Sequence, residues 1–303
     1  MKQNILIGTA TGLVELDGER ATAVETLSGH AITALALDGD VAWALTDGAA
    51  LWQRRDGRWA RRAGIEGPPA RCLAPAPGGV WIGTAQAHVL RFGDEGLRAS
   101  EAFDRVEGRQ AWYTPWGAPA DVRSIAAGRD GAVYANVHVG GVAATRDDGA
   151  TWAPLLDIDV DVHQVLAHPV RAEVVLVAAA AGFGVSRDAG RTWQFLTAGL
   201  HAHYLRAVTV AGDDVVISAS AGFHGKRAAL YRKPLDGGRF ERCRDGLPTW
   251  FDDNVDTACL AADGALVACG TQDGRVFRSR DGGRRWELAL KGLAPVGCLT
   301  IGR

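Results

Sequence analysis

The sequence predicts an all-β protein built from seven repeated units, and three observations lead to this prediction. Glycine is abundant, with 39 among 303 residues, whereas proline is ordinary at 11 and 47% of the residues are hydrophobic, a balance typical of a folded chain rich in turns. Short β-rich runs alternate with Gly- and Asp-containing turns, and no long run has an amphipathic helical period. Finally, one eight-residue motif recurs along the chain.

The repeated motif has the pattern S/T-x-D-x-G-x-x-W, and its spacing gives the length of a unit. Trp152 and Trp193 end two copies 41 residues apart, and Trp286 ends a third copy 93 residues further on, which is the length of two units. The near-complete copies are residues 145–152 (TRDDGATW), 186–193 (SRDAGRTW) and 279–286 (SRDGGRRW). Degenerate copies with the expected spacing are residues 56–59, 92–96 and 233–240, and residues 17–18 supply the first turn.

A second, independent series of short runs marks one strand of each unit. The seven runs are residues 7–9, 44–46, 82–84, 135–137, 178–180, 218–220 and 269–271. Seven units in 303 residues leave about 43 residues for each, enough for four short strands. The sequence therefore predicts a single domain over residues 1–303, a seven-bladed β-propeller of four-stranded antiparallel blades.

The two ends of the chain complete each other. Residues 296–301 (VGCLTI) have the pattern of an innermost strand without the rest of a blade, whereas the chain begins at the second strand of its first blade. Pairing these ends in one sheet would close the ring without a covalent bond and would remove an exposed sheet edge. We therefore expect the N- and C-terminal strands to share a blade.

On these motifs the chain resembles the Asp-box, or BNR-repeat, β-propellers, a superfamily of sialidase-like, sortilin-like and photosystem-assembly-factor-like proteins with a WD40/YVTN-like architecture, in their bacterial intracellular form. In those propellers the boxes lie on the turn between the outer strands, away from the ligand face. The box aspartate can accept hydrogen bonds from its own turn, and the tryptophan buries a large ring. We therefore predict a structural role for Asp147, Asp188, Asp281, Trp152, Trp193 and Trp286.

Charge and cysteine content exclude several classes of protein. The 33 Lys and Arg residues nearly balance the 35 Asp and Glu residues, so no global charge attracts nucleic acid or an anionic membrane.

The N-terminal residues lack the apolar core of a secretory signal, and no apolar stretch approaches a membrane span. Five cysteines without CxxC spacing favour core packing over disulfides or a zinc ribbon. We expect a cytoplasmic protein with neither nucleic acid nor membrane as partner.

The predicted topology brings the start of each first strand and the end of each second strand to one face, here called the upper face. Aligning the seven strand starts places a ring of residues near the mouth of the central channel. Guanidinium groups match carboxylates and phosphates, so Arg71, Arg123 and Arg206 are predicted to bind an anionic ligand. The complete predicted ring is Thr33, Arg71, Arg123, His163, Arg206, Asp256 and Gly297.

Histidines and aromatic residues extend this predicted site. Two histidines follow second strands, two more lie between the fifth and sixth units, and the two longest units carry tryptophans in expected upper loops, where aromatic rings suit ligand stacking. The additional ligand-binding residues are predicted to be His138, His224, Trp112, Trp116 and Trp250. Proton transfer would fall to His163, His203 or Asp256. A divalent metal held by His138, His163, His203 or His224 with Asp256 or Asp252 is a further alternative, and the cofactor is otherwise unknown.

Three functions remain open at this point. The first is binding of a small anionic or polyhydroxylated, sugar-like ligand at the upper channel mouth, with hydrolase or lyase chemistry as its enzymatic form. The second, implied by the assembly-factor and sortilin-like relatives, is a non-catalytic scaffold that binds a protein or peptide on the same face. Sialidase activity is the least favoured, because those enzymes have six blades and no glutamate accompanies Tyr204 near the ring. Satisfied polar networks between blades would explain the ring without any ligand.

Overall fold

The computed structural model describes residues 4–114 and 116–302, and it shows seven four-stranded antiparallel sheets arranged in a ring. The predicted seven-bladed β-propeller is therefore confirmed. Regular helix in the described residues is limited to the one-turn helix α1 (Glu101–Asp104) and the 3₁₀ turns Glu25–Leu27, Ala85–Ala87 and Arg109–Ala111. In this part of the chain, no helix has the length and apolar character that crossing a membrane requires.

Each blade consists of four strands that are consecutive in the chain, except where the two termini meet. Blade 1 contains β28 and β1–β3, and blades 2 to 7 follow in order from β4–β7 to β24–β27. The strands are β1 (Asn4–Thr9), β2 (Gly12–Asp17), β3 (Arg20–Ala23), β4 (Ile32–Asp38), β5 (Val41–Thr46), β6 (Ala50–Arg55), β7 (Arg58–Gly64), β8 (Ala70–Ala76), β9 (Gly79–Thr84), β10 (Val89–Gly93), β11 (Gly96–Ala99), β12 (Val122–Ala127), β13 (Val133–Val137), β14 (Gly141–Thr145), β15 (Ala153–Leu156), β16 (Val162–Ala167), β17 (Val175–Ala179), β18 (Gly182–Ser186), β19 (Gln194–Leu196), β20 (Tyr204–Ala211), β21 (Asp214–Ser220), β22 (Ala229–Pro234), β23 (Glu241–Arg242), β24 (Leu260–Asp263), β25 (Leu266–Gly270), β26 (Val276–Ser279), β27 (Glu287–Leu290) and β28 (Val296–Gly302).

The N- and C-terminal strands close the ring, as the sequence predicts. Strand β28 is the innermost strand of blade 1 and pairs antiparallel with β1, with Leu6 opposite Thr300. Adjacent innermost strands contact one another around the whole ring, including β28 with both β4 and β24. Ile7 and Val296 are fully buried at the closure, so the two chain ends contribute to a continuous core.

All seven copies of the motif, complete or degenerate, lie on the turn between the third and fourth strands of a blade. In an antiparallel blade this turn lies at the end opposite the upper face. In the complete copies the aspartate accepts hydrogen bonds within its turn; Asp188 accepts from the backbone N–H of Thr192 at 2.8 Å and from its hydroxyl at 2.6 Å. Gly149 has φ +86°, and a Cβ there would lie 2.5 Å from Trp81 of the neighbouring blade. These contacts support a folding role for the motif.

The cysteines lie in the core between blades. All five are buried and free. The thiol of Cys72 lies 3.5 Å from the carbonyl oxygen of Val122 on the next blade, and Cys298 makes the same contact with Ile32 at 3.5 Å. Burial raises the pKa of Cys72 to about 12, so its thiol stays protonated at neutral pH. Packing rather than nucleophilic chemistry fits these environments.

Candidate functional site

The predicted ring residues lie at irregularities in the innermost strands. In six blades the pairing between the first and second strands shifts register near the upper face. The unpaired position at each shift is the predicted ring residue, and in blade 6 it is that residue together with the next one. Such bulges re-aim a side chain relative to a regular strand. The positions at these shifts are Thr33, Arg71, Arg123, His163, Arg206 and Gly297. Asp256 instead begins a turn that precedes β24. In this turn the backbone N–H of Cys259 donates a hydrogen bond to the carbonyl oxygen of Asp256 at 2.9 Å.

A cavity of about 530 Å³ opens at the upper face between blades 4, 5 and 6. It brings together side chains that are up to about a hundred residues apart in sequence and that come from strand starts, strand ends and upper loops. The lining residues are Trp116, Asp121, Arg123, His138, Asp161, Tyr204, Arg206 and Phe223. This upper pocket is therefore the place where four of the predicted ligand-binding residues, Trp116, Arg123, His138 and Arg206, meet.

His163 lies fully buried at the wall of the upper pocket. Its Nδ1 atom lies 2.5 Å from the carbonyl oxygen of Leu205, so this nitrogen carries the proton. Its Nε2 atom lies 3.4 Å from Asp161 Oδ2, while Asp161 Oδ1 lies 3.3 Å from His138 Nε2. Burial lowers the pKa of His163 below its ordinary value, although Asp161 opposes this shift. Burial would raise the pKa of Asp161, but the contacts with His138 and His163 in their protonated forms outweigh burial and hold that pKa well below its usual range.

Two guanidinium groups lie in the same pocket with unequal neutralisation. Arg206 forms an ion pair with Asp256 at 3.4 Å and lies over the ring of Tyr204, with 5.3 Å from Cζ to the ring centroid. Arg123 makes no hydrogen bond or ion pair within the described residues. Burial lowers the pKa of Arg123, and the positive charge of Arg206 lowers it further, although Asp256, Tyr204 and Asp161 partly offset both effects.

Thr257 joins the strands beneath the pocket. Its hydroxyl oxygen lies 3.1 Å from the carbonyl oxygen of His163 and 2.9 Å from that of Arg206, so one proton is shared between two neighbouring blades. Thr257, which precedes blade 7, therefore holds the backbone of both His163 and Arg206 in place. A site held in this way needs little reorganisation when a ligand enters.

The remaining predicted residues lie outside this pocket. Arg71 is half-exposed and forms an ion pair with Asp121 at 3.5 Å, beside the lining. His203 and His224 are exposed and do not line the cavity. Trp112 packs against Phe103 with ring centroids 5.6 Å apart, and Trp250 stacks under Arg242 in a separate groove, with 3.7 Å from Cζ to the ring centroid. Of residues 112–116, Pro115 lies outside the described part of the chain.

Sequence reasoning did not assign four of the lining residues to the site, and three of these are Asp121, Asp161 and Tyr204. Each lies two residues before a member of the predicted ring. Because alternate residues of an extended chain point to the same side, the alignment that gave the ring would also have given this second layer if shifted by two positions. Phe223 was also missed, although it precedes His224 in an upper loop.

The upper pocket offers two kinds of chemistry. Arg123 and Arg206 can bind a carboxylate or a phosphate, and the acid and base groups around them can accept or donate a proton. His138, Asp161 and His163 have one ligand atom each, all within 4.8 Å of one another, which is close enough to hold one metal ion. The predicted metal candidates His203 and His224 are not part of this group, and the predicted carboxylates Asp252 and Asp256 are replaced in it by Asp161.

Comparisons with known proteins show the fold of this chain. No protein-family model and no curated protein sequence matches it. Solved structures do match: YCF48 bound to the D1 peptide at 15% identity and a TM-score of 0.62, covering 93% of this chain and 88% of that one, and YCF48 from Cyanidioschyzon merolae at 15% and 0.63, covering 93% and 90%. The GH74 xyloglucanase from Xanthomonas campestris matches at 15% and 0.63, with 93% of this chain covering 46% of that enzyme. The chain thus shares its β-propeller fold with YCF48 and with part of GH74 enzymes.

Proposed function

We propose that residues 1–303 form one propeller domain of the Asp-box kind, acting in the cytoplasm, whose upper pocket binds a small anionic ligand. The observation that carries the proposal is Arg123, a partly buried guanidinium that lines the pocket and makes no hydrogen bond or ion pair among the described residues. Partial burial of a cation that has no direct ion pair is costly, and a bound carboxylate or phosphate would supply one through charge-assisted hydrogen bonds. A polyhydroxylated, sugar-like body would suit the aromatic rim formed by Trp116 and Phe223.

A titration of matched variants tests this proposal. Thermal-shift screening with small carboxylates, sugar acids and phosphates, all in a chelator, should show at least one saturable ligand whose binding Arg123→Ala abolishes. The control is Arg98→Ala, which should leave ligand binding unchanged. It removes an exposed arginine of the outer strand β11 that forms an ion pair with Glu95. A panel without any saturable anion, or equal binding by the Arg123 variant, would contradict the proposal.

Hydrolase or lyase chemistry is the narrower form of the same proposal. His138, Asp161 and Tyr204 line the pocket next to the two arginines, and the glycoside hydrolases with the same fold support this direction. His163 and Asp256 each contact a lining residue, whereas the exposed position of His203 gives it no support as a proton donor. Sialidase activity is least supported, because no glutamate in the described part of the chain lines the pocket beside Tyr204.

Peptide binding on the upper face is the second candidate. Its specific support is a set of exposed aromatic side chains, with Trp116 68%, Phe223 66% and Tyr113 50% exposed. A peptide ending in a free carboxylate would satisfy Arg123 and cover these rings, and YCF48 provides a precedent for a peptide on this fold. Comparing peptides with a free and an amidated C-terminus separates the candidates: selective binding of the free form favours a peptide ligand, and no binding of either favours a small molecule.

A further inference from the structure

We propose that His138, Asp161 and His163 bind one divalent transition-metal ion of the Zn²⁺ class at the wall of the upper pocket. The ion would have two imidazole nitrogens and one carboxylate as protein ligands and an open position towards the cavity, the arrangement typical of catalytic rather than structural metal sites. This inference goes beyond the anion-binding function proposed above and does not depend on it.

The first support is the spacing of the ligand atoms. His138 Nε2 lies 3.3 Å from Asp161 Oδ1, and His163 Nε2 lies 3.4 Å from Asp161 Oδ2. In a tetrahedral zinc site with metal–ligand distances of about 2.0–2.1 Å, neighbouring ligand atoms are about 3.3–3.4 Å apart. Each histidine nitrogen therefore already lies at this spacing from one Asp161 oxygen, and one ligand atom from each of the three residues lies within 4.8 Å of the other two.

The second support is a buried nitrogen that lacks a partner. The His163 side chain is 0% exposed, and neither its Nε2 atom nor Asp161 Oδ1 has a hydrogen-bond partner among the residues that the structure describes. Because Nδ1 carries the proton donated to Leu205, a neutral ring directs the Nε2 lone pair at the carboxylate of Asp161. Two lone-pair-bearing groups face each other there, and a cation between them would turn this repulsion into coordination.

The outer contacts of the group fit the same interpretation. Metal-binding histidines typically donate their second ring N–H to a carbonyl or carboxylate, which fixes the tautomer and the ring orientation. His163 does so through Leu205, and the ring of His138 is held by Trp116, with centroids 5.0 Å apart. A hydrogen-bonded His–Asp–His network is the competing interpretation, but the nitrogen–oxygen distances of 3.3 and 3.4 Å are longer than those of ordinary N–H···O hydrogen bonds.

The ligand chemistry and the surrounding charge define the class of ion. Imidazole nitrogens favour Zn²⁺ and similar first-row ions over Mg²⁺ and Ca²⁺, which prefer oxygen ligands. Arg123 and Arg206 repel a cation, and Asp161 and Asp256 offset this in part. An anion bound by the arginines and by the open metal position would remove the remaining repulsion. We therefore expect metal and anion to strengthen each other's binding.

The direct test measures metal binding without any activity assay. Full-length protein is stripped with a chelator, desalted and titrated calorimetrically with Zn²⁺ alone, and its metal content is measured after gel filtration. We expect one Zn²⁺ per chain, and Co²⁺ in its place should give the visible absorption of a low-coordinate site. Binding with less than one ion per chain, or no preference for Zn²⁺ over Mg²⁺, would overturn the proposal.

Matched variants identify the ligands. Asp161→Asn keeps the shape of the side chain, and the amide of His163→Asn can still donate to Leu205 while the Nε2 ligand is lost. Both variants should lower Zn²⁺ affinity by at least about 100-fold, above the effect of losing an outer contact. His203→Asn and His224→Asn change exposed histidines and should leave the affinity unchanged. If one variant misfolds by circular dichroism, the other decides, and wild-type affinity in a folded ligand variant would refute the assignment.

The metal and anion proposals fail in different ways. Arg123→Ala should still bind one Zn²⁺ per chain while losing the anion, whereas Asp161→Asn should lose Zn²⁺ but still bind the anion in a chelator, with lower affinity than the zinc-loaded wild type. Zinc binding lost together with anion binding in Arg123→Ala would contradict separate sites. Anion binding unaffected by Zn²⁺ would contradict the open coordination position.

Discussion

The Nδ1 atom of His163 in blade 5 lies 2.5 Å from the carbonyl oxygen of Leu205 in blade 6. Cys259 and Cys298 make weaker contacts of the same kind, each from an innermost-strand region to a carbonyl oxygen of the next blade. His163 thus connects two blades through its Nδ1 atom, while its Nε2 atom faces the carboxylate of Asp161 at the upper pocket. A structural hydrogen bond sets the tautomer of a candidate functional residue.

This relationship predicts a graded loss of stability at position 163. His163→Ala leaves the Leu205 carbonyl without a donor and opens a cavity, so the free energy of unfolding should fall by about 1–3 kcal/mol. His163→Asn should lose less, because its amide can donate to the same carbonyl. Urea unfolding of both variants measures the difference. Equal stability of His163→Ala and the wild type would mean that this hydrogen bond contributes nothing.

The second prediction concerns the stability of the ligand-free protein at Arg123. Its guanidinium is partly buried and close to Arg206, so the apolar substitution Arg123→Met should raise the free energy of unfolding by about 1 kcal/mol, as when buried charges are replaced by apolar side chains. Arg206→Met, which breaks the pair with Asp256, should instead destabilise the protein. Melting curves without ligand decide the question. A destabilised Arg123→Met protein would indicate a structural polar network and not a binding group.

Much of the fold could be predicted because the repeats report local chemistry. The turn that contains Asp188 is stabilised by groups within a few residues, so its signature survives in the sequence whatever the rest of the blade does. The pairing of the two termini could also be predicted, because β28 is an innermost strand without the rest of its blade, and the first blade lacks its innermost strand. Both inferences depend on short-range patterns and on the need to cover sheet edges.

The candidate site was harder to predict, because it depends on how blades are positioned relative to one another. The alignment of strand starts found Arg123 and Arg206, but it could not show that Asp161 approaches His138 from the neighbouring blade. Of the tryptophans in the long upper connections, Trp116 lines the pocket, whereas Trp112 and Trp250 pack elsewhere for the same reason. Trp250 packs against Arg242 on the outermost strand of blade 6, and no local sequence pattern predicts this contact.

The third prediction concerns the cysteines. Burial raises the pKa of Cys72, Cys243 and Cys298 to about 12 and also raises those of Cys259 and Cys269. Because the thiolate is the reactive form, none of the five thiols should react rapidly with a disulfide reagent in the native protein. All five should react after denaturation. A fast-reacting thiol in the native state would show that one blade interface opens readily.

The fourth prediction is a pH dependence at the motif turns. The hydroxyl and backbone N–H of Thr192, together with Ser186, lower the pKa of Asp188 from 3.8 to about 2. A carboxyl whose pKa is lower in the folded state stabilises the fold above its unfolded pKa, and this contribution is lost as the pH falls from about 4 to 2. Asp188→Asn should therefore melt at a lower temperature than the wild type at pH 7, and the difference should shrink over that window. A difference independent of pH would show that charge has no part in the turn.

The last prediction tests ring closure. Deleting residues 296–303 removes strand β28, whose buried side chains Val296, Leu299 and Ile301 each contribute up to about 1.5–3 kcal/mol by burial. Their sum is comparable with the whole stability of a typical domain, about 5–15 kcal/mol, and the deletion also uncovers the edge of β1. The truncated chain should lose cooperative melting. A synthetic peptide of residues 296–303 should restore it by pairing with β1, whereas a peptide of the same composition in scrambled order should not. Unchanged melting after the deletion would show that the ring holds together without this strand.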